Sequence, residues 1–333
     1  MNHNPFSTPH AELTSPQLTL AHASHQTYLF IAAQIVATIC LLGVNLGLQW
    51  FTAGDGFHER MTRYLPVMIS TLLGGMLAYV AGVLLLVQQQ RERHAIGRFR
   101  PLPGLLLAYG FAYLVCSLAM TSGIGFVGQV FYEWVREQGN RQLWIVLYAQ
   151  LAALASLLLT CVLPLWLILR LARGRALPLA PGAGTAVARW QVALGMALCV
   201  AAVVYRLSSS LAASMMTTYS DGNAWQPLFQ LINCAVPFAI VMVAVHTRLP
   251  PQLSRFGTGR VLIASLVLLL LWLGLLVLCA LVLVFVLADA LDSRYLPLAP
   301  MGFAALLLSL LWPLSRLCVR WFFADELAQS SPK

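Results

Sequence analysis

Charge is what this sequence has least of. Asp, Glu, Lys and Arg together make up 9% of its 333 residues, against roughly 25% in soluble domains. Lysine occurs once, at Lys333, and no Asp, Glu or Lys falls inside any of the long apolar runs. Proton- and sodium-coupled carriers keep ionisable groups near the bilayer midplane, so ion-coupled transport is disfavoured. Motifs are missing too. There is no H-E-x-x-H, no Gly-rich phosphate loop followed by Lys, no G-x-S-x-G and no pair of His within the apolar runs to hold haem. The seven cysteines, Cys40, Cys116, Cys161, Cys199, Cys234, Cys279 and Cys318, are spread one per run with no C-x-x-C. They are expected to act as small apolar residues, with neither a disulfide nor a zinc site. The sequence therefore offers no catalytic, cofactor-binding or metal-ligating constellation, and a non-enzyme is expected.

What is present is hydrocarbon. Hydrophobic residues make up 60% of the chain and the mean hydropathy is +0.80, which places it in the membrane class. Apolar stretches long enough for a core of about 30 Å recur at roughly 28 to 50, 65 to 87, 104 to 130, 143 to 169, 190 to 213, 227 to 246, 261 to 288 and 298 to 318. The expected fold is all-α and polytopic, with about eight transmembrane helices in four consecutive hairpins, 28–87, 104–169, 190–246 and 261–318. Residues 1–27 are polar and contain three Pro, and read as a disordered cytoplasmic tail. Residues 319–333 form a cytoplasmic C-terminal tail. His3, His10, His22 and His25 lack a tight ligand spacing, so the histidines of the N-terminal tail are not read as a metal site.

The basic residues set an orientation. Segments 88–103, 170–189, 247–260 and the tail from 316 hold fourteen of the twenty Lys+Arg, and the intervening loops hold five. By the positive-inside rule the Arg-rich side is cytoplasmic, with both termini there. The arginines lie in several short loops and not on one face of a folded domain, so the net charge of +9 implies no nucleic-acid partner. The bias to Arg over Lys and the compact loops point to a bacterial inner membrane. Three of the basic linkers carry proline, in "RFRPLPG", "RALPLAPG" and "TRLPPQLSR", and read as boundaries between hairpins. Short echoes, "RYLP" at 63–66 and 294–297 and "CVLP" at 161–164 against "CAVP" at 234–237, suggest a duplicated unit.

Small residues recur every four positions at Gly74, Ala78 and Gly82, at Gly104, Ala108 and Ala112, and at Ala193, Ala197 and Ala201. Such stripes let helices approach closely in lipid and mark assembly surfaces within the chain or with another membrane protein. "SGIGFVG" at 122–128 reads as close helix packing. Pro164, Pro237 and Pro313 are expected to bend their helices.

One arginine sits within a run and outside the basic segments. Arg206 is followed by Ser208, Ser209, Ser210, Ser214, Thr217 and Thr218. It lies 17 residues beyond Arg189, or about 25 Å at 1.5 Å per residue, near the outer interface. Its stem can snorkel to the headgroups. A second reading makes Arg206, Ser208, Ser209 and Ser210 an outward-facing polar vestibule, with Asp289 or Asp292 as the partner of the arginine. The expected function is a non-enzymatic accessory, protective or scaffold component of a membrane system, whose partners are the lipid bilayer and another membrane protein. The alternative is a permease for a lipid-like or neutral solute.

Overall fold

Long apolar runs without internal polar breaks favour helices whose backbone hydrogen bonds are all satisfied within the segment, the condition for crossing lipid. The chain is accordingly all-α, and 89% of its described residues are helical. The computed structural model describes residues 16–53, 57–137, 141–178, 187–216, 226–282 and 299–330. In chain order the helices are α1 (Pro16–Ala53), α2 (Phe57–Arg93), α3 (Leu102–Arg136), α4 (Arg141–Ser156), α5 (Leu163–Ala172), α6 (Arg189–Met216), α7 (Gln226–His246), α8 (Thr258–Val282), α9 (Ala299–Phe322) and α10 (Ala324–Ser330). A π-helical turn, Leu157–Val162, runs α4 into α5, so the two cross as one rod.

Among the described residues seven helical segments are long and apolar enough to span a membrane. The remaining expected span is helical, as α7, twenty-one residues from Gln226 to His246, and apolar over Leu231–His246. The N-terminal boundary differs. Helix α1 reaches back to Pro16, inside the stretch expected as a polar tail, and Gln26 and Thr27 are buried. Residues 1–15 lie outside the described residues. At the other end α9 continues to Phe322, inside the expected tail, and α10 follows it there.

Two apolar cores organise the helices. The first gathers Phe30 of α1, Val83 and Val87 of α2, Tyr109 of α3, and Leu165 and Leu169 of α5. The second joins Met196 and Val200 of α6, Val241 of α7, Leu268 and Trp272 of α8, and Leu311 of α9. Helix α2 connects them, since its Leu84 packs with Leu198 of α6 and its Leu85 belongs to the second core. Helix α6 is the most enclosed span, and its small stripe explains why: Ala193, Ala197 and Ala201 are fully buried. Trp272 Nε1 donates to the Leu307 carbonyl at 2.9 Å and fastens α8 to α9.

Aromatic side chains collect at both ends of the bundle, as they do at membrane interfaces. At one end Phe131 stacks on Tyr148 at 4.7 Å and Trp134 meets Trp144 edge-on at 5.4 Å. Tyr148 also donates to the Ile124 carbonyl at 2.7 Å and lies against the buried Gly128, so the expected close packing of "SGIGFVG" is found at its last glycine only, since a Cβ at Gly123 or Gly125 would meet nothing within 4 Å. At the other end Tyr28 stacks on Trp190 at 4.9 Å, and Arg170 lies over Trp166 at 5.0 Å. Trp144 and Trp166 are separated by about 33 Å of helix at 1.5 Å per residue, which matches a hydrocarbon core of about 30 Å.

The proline-bearing linkers, read from sequence as boundaries, are stitched together. Strand β1 (Ile96–Arg98) pairs antiparallel with β2 (Leu177–Pro178), and β3 (Val187–Ala188) pairs antiparallel with β4 (Gln252–Leu253). The linker between α5 and α6 is thus tied to the one before it and the one after it. The start of α1 joins the same face, where the Phe99 amide donates to Gln26 Oε1 at 3.1 Å. So does α10, where the Ser254 amide donates to Glu326 at 3.2 Å. The four Arg-rich segments therefore meet on one face of the bundle.

Candidate functional site

Arg206 is half-buried in the last turn of the α6 span, with the buried Tyr205 beside it. Ser208 turns its hydroxyl back onto its own helix and donates to the Tyr205 carbonyl at 2.9 Å. Of Ser209 and Ser210 only the backbone, in α6, is described, and Asp289 and Asp292 lie outside the described residues. The structure thus places Arg206 and Ser208 as neighbours on one helix, and Ser208 is spent on a local backbone bond.

A second polar group lies deep in the first core. The Tyr109 hydroxyl donates to Gln34 Oε1 and lies 3.4 Å from Cys161 Sγ. Gln34 Nε2 donates to Thr38 Oγ1 at 3.0 Å, and Thr38 Oγ1 lies 3.3 Å from the Tyr113 hydroxyl. The Tyr113 ring meets Tyr79 edge-on at 5.7 Å, and the Tyr79 hydroxyl is 3.0 Å from Ser156 Oγ. Cys161 Sγ reaches the Tyr79 carbonyl at 3.5 Å. One network therefore links α1, α2, α3 and the α4–α5 rod. Gln34, Thr38, Tyr109, Tyr113 and Cys161 are all nearly inaccessible.

The π-helical turn belongs to this network. Pro164 has no N–H to offer the Thr160 carbonyl, and its ring crowds the preceding turn. The chain widens there, and the Leu163 amide bonds to the Leu158 carbonyl five residues back. This wider turn holds Cys161 and Thr160 in the bundle interior, beside Gly82 of α2, where a Cβ would lie in ordinary contact at 3.7 Å from Cys161 Sγ. π-Turns inside helices recur at functional sites. The signals that could have located the network were Gln34 in an otherwise apolar run and the Cys-Val-Leu-Pro string. Cys161, expected only to fill space, is a hydrogen-bonding member.

No protein family, curated protein or solved structure matches this chain.

The Arg-rich face is the third polar region. Glu92, at the end of α2, accepts hydrogen bonds from the backbone amides of Phe256 and Gly257, the latter at 3.1 Å. Those amides precede α8, so a carboxylate sits at the positive end of that helix dipole. Gly257 takes φ +61°, a left-handed conformation that suits glycine. Glu326 receives both the amide and the hydroxyl of Ser254, and Asp325 pairs with Arg260 at 3.4 Å. Arg173 donates to Gln90 Oε1 at 2.9 Å. Desolvation, then the charges of Arg173 and Arg93, lower the pKa of His94 from the ordinary histidine value. Among the described residues no three His, Cys, Asp or Glu come close enough to hold a metal ion.

Glu92 gives a direct test of this face. Charge-assisted hydrogen bonds to a carboxylate contribute about 1.5–3 kcal/mol, so Glu92→Ala should lower unfolding stability in detergent by about 2 kcal/mol. Glu92→Gln, which keeps an acceptor, should lose less. An alanine variant that unfolds like the parent would show that the α2 end and the α8 start are not joined.

Proposed function

We propose that this chain is a non-catalytic accessory, protective or scaffold component of a bacterial inner-membrane system, and that it seats the uncovered face of α3 against another membrane protein. The observation that carries this reading is the fate of the three small-residue stripes. Two are consumed inside the chain, Gly74 and Gly82 of α2 against Tyr205 and Cys161, and the alanines of α6 in the interior, where all three are fully buried. The third is not. Gly104 and Ala108 of α3 are exposed, Ala112 is half-buried, and the flanking Leu107 and Phe111 are both more than 70% exposed. A stripe that permits close approach of a helix, flanked by large apolar side chains, suits a protein neighbour better than lipid alone.

The interior polar groups weigh against the permease alternative. Gln34, Thr38, Tyr109 and Cys161 bond to one another, which is glue between helices and not the lining of a path. The pairing of β3 with β4 supports eight crossings, because it returns the α6–α7 hairpin to the face from which it left. The concentration of arginine on that face favours the cytoplasm for it and for both termini.

The test is a photo-crosslinking residue at Leu107 in intact cells. The expected result is a discrete protein adduct that disappears when Gly104 and Ala108 are both changed to Leu, while the same probe at the buried Met196 gives none. An adduct that survives those leucines, or lipid adducts alone combined with movement of a neutral or lipid-like solute by the purified protein in liposomes, would overturn the reading.

A further inference from the structure

On the Arg-rich face, between the end of α7, the last turns of α9 and α10, lies a cavity of about 830 Å³ whose rim carries Arg248, Arg316 and Arg320. Among the described residues no carboxylate lines it. The two acids of α10 that could have neutralised it are engaged elsewhere, Asp325 with Arg260 and Glu326 with Ser254, and α10 turns Ala324, Leu327 and Ala328 to the cavity instead. The walls are apolar and aromatic, with Trp312, Pro313 and Leu317 of α9. Arg316 is held in place by its own surroundings: its guanidinium carbon lies 5.1 Å over the Trp312 ring, and its Nε is buried with no hydrogen-bond partner among the described residues.

We propose that this cavity binds an anionic phospholipid, with the phosphodiester among Arg248, Arg316 and Arg320 and an acyl chain along Trp312, Pro313 and Leu317. Three guanidiniums with no counter-charge among the described residues call for an anion, and the planar fork of Arg suits phosphate oxygens. A free phosphate would satisfy that charge but not the apolar wall. The wall continues into the membrane span of α9, which ends at Phe322, so the cavity opens where headgroups and acyl chains meet. Basic pockets between spanning helices at the cytoplasmic side take phospholipid headgroups in this way. The site goes beyond the scaffold reading and does not depend on it.

The experiment is native mass spectrometry of the full chain, released from nanodiscs of phosphatidylcholine alone or of phosphatidylcholine with phosphatidylglycerol, and separately titrated with inorganic phosphate. Each arginine near an anionic headgroup contributes about 1 kcal/mol, or about five-fold in affinity. The parent should retain phosphatidylglycerol in preference to phosphatidylcholine, and Arg316→Gln with Arg320→Gln should reduce that preference on the order of 25-fold. Arg170→Gln, on the same face but outside the cavity, should leave the preference unchanged, and the double variant should keep the parent's melting temperature in lipid-free detergent. Equal retention of both lipids by the parent, undiminished preference in the double variant, an equal loss in Arg170→Gln, or saturable binding of inorganic phosphate that excludes the lipid would each overturn the assignment.

Discussion

Gly74→Ala should destabilise the protein by about 1–3 kcal/mol, the usual cost of overpacking a filled interior, although alanine is the better helix former by about 1 kcal/mol. A Cβ at position 74 would lie 2.0 and 2.2 Å from two ring carbons of Tyr205. That ring is itself only 3% exposed, so it cannot swing aside without moving α2 from α6. The contrast within the same stripe makes the effect specific. A Cβ at Gly82 would meet its neighbours at 3.6 to 3.7 Å, ordinary contact, and one at Gly43 meets nothing within 4 Å. Gly82→Ala and Gly43→Ala are therefore expected to be neutral or slightly stabilising. Trimming the ring should relieve the clash, so that Gly74→Ala costs at least about 1 kcal/mol less in a Tyr205→Ala background than in the parent, a coupling typical of residues in contact. Unfolding in detergent across this double-mutant cycle gives the answer. Simple additivity would mean that the two helices do not meet there.

Tyr109→Ala should be the most damaging single change in the first core, at about 3–5 kcal/mol for an aromatic lost from a packed interior. The ring is fully buried and packs edge-on against Phe30 at 6.4 Å. Tyr109→Phe isolates the hydroxyl. It keeps the ring and strands Gln34 Oε1, so a loss of about 1–3 kcal/mol is expected for a buried polar group left unsatisfied. Gln34→Leu alone strands the hydroxyl with only the weak Cys161 sulfur. Together with Tyr109→Phe it removes both partners, and the pair should cost less than the sum of its parts. Equal stability of Tyr109→Phe and the parent would show that this contact contributes nothing.

The helix positions were legible because an unbroken apolar run has few alternatives in a bilayer. Their ends were less so. Helix α1 extends to Pro16, and Gln26 accepts the Phe99 amide and Thr27 accepts from Gln88 at 3.4 Å, contacts made with α2 and the linker after it, more than sixty residues away. The ribbons were invisible for the same reason: strands of two or three residues carry no periodicity, and proline in "RALPLAPG" argues for a boundary. Pro178 nevertheless pairs with Ile96 at the edge of a two-stranded sheet, the kind of site where a missing N–H is tolerated. The tyrosine network was hidden because a tyrosine in an apolar run suits an interface as well as an interior. Only packing decides, and it placed Tyr109 and Tyr113 inside and Tyr132 outside. The small-residue stripes were visible as stripes, but which of them the chain would use for itself was a question of three-dimensional arrangement.

The ribbons, the Glu92 cap and the lipid cavity share one face, and their setting depends on which side of the membrane that face occupies. Reporter fusions active only outside the cytoplasm test this directly. The expected pattern is activity after Gly56, Gly139, Gly222 and Ser293, and silence after Gly97, Gly182 and Gly257. Activity after Gly257 with silence after Ser293, following the expected pattern up to that point, would mean that α7 does not cross. The inverse pattern throughout would contradict a cytoplasmic Arg-rich face.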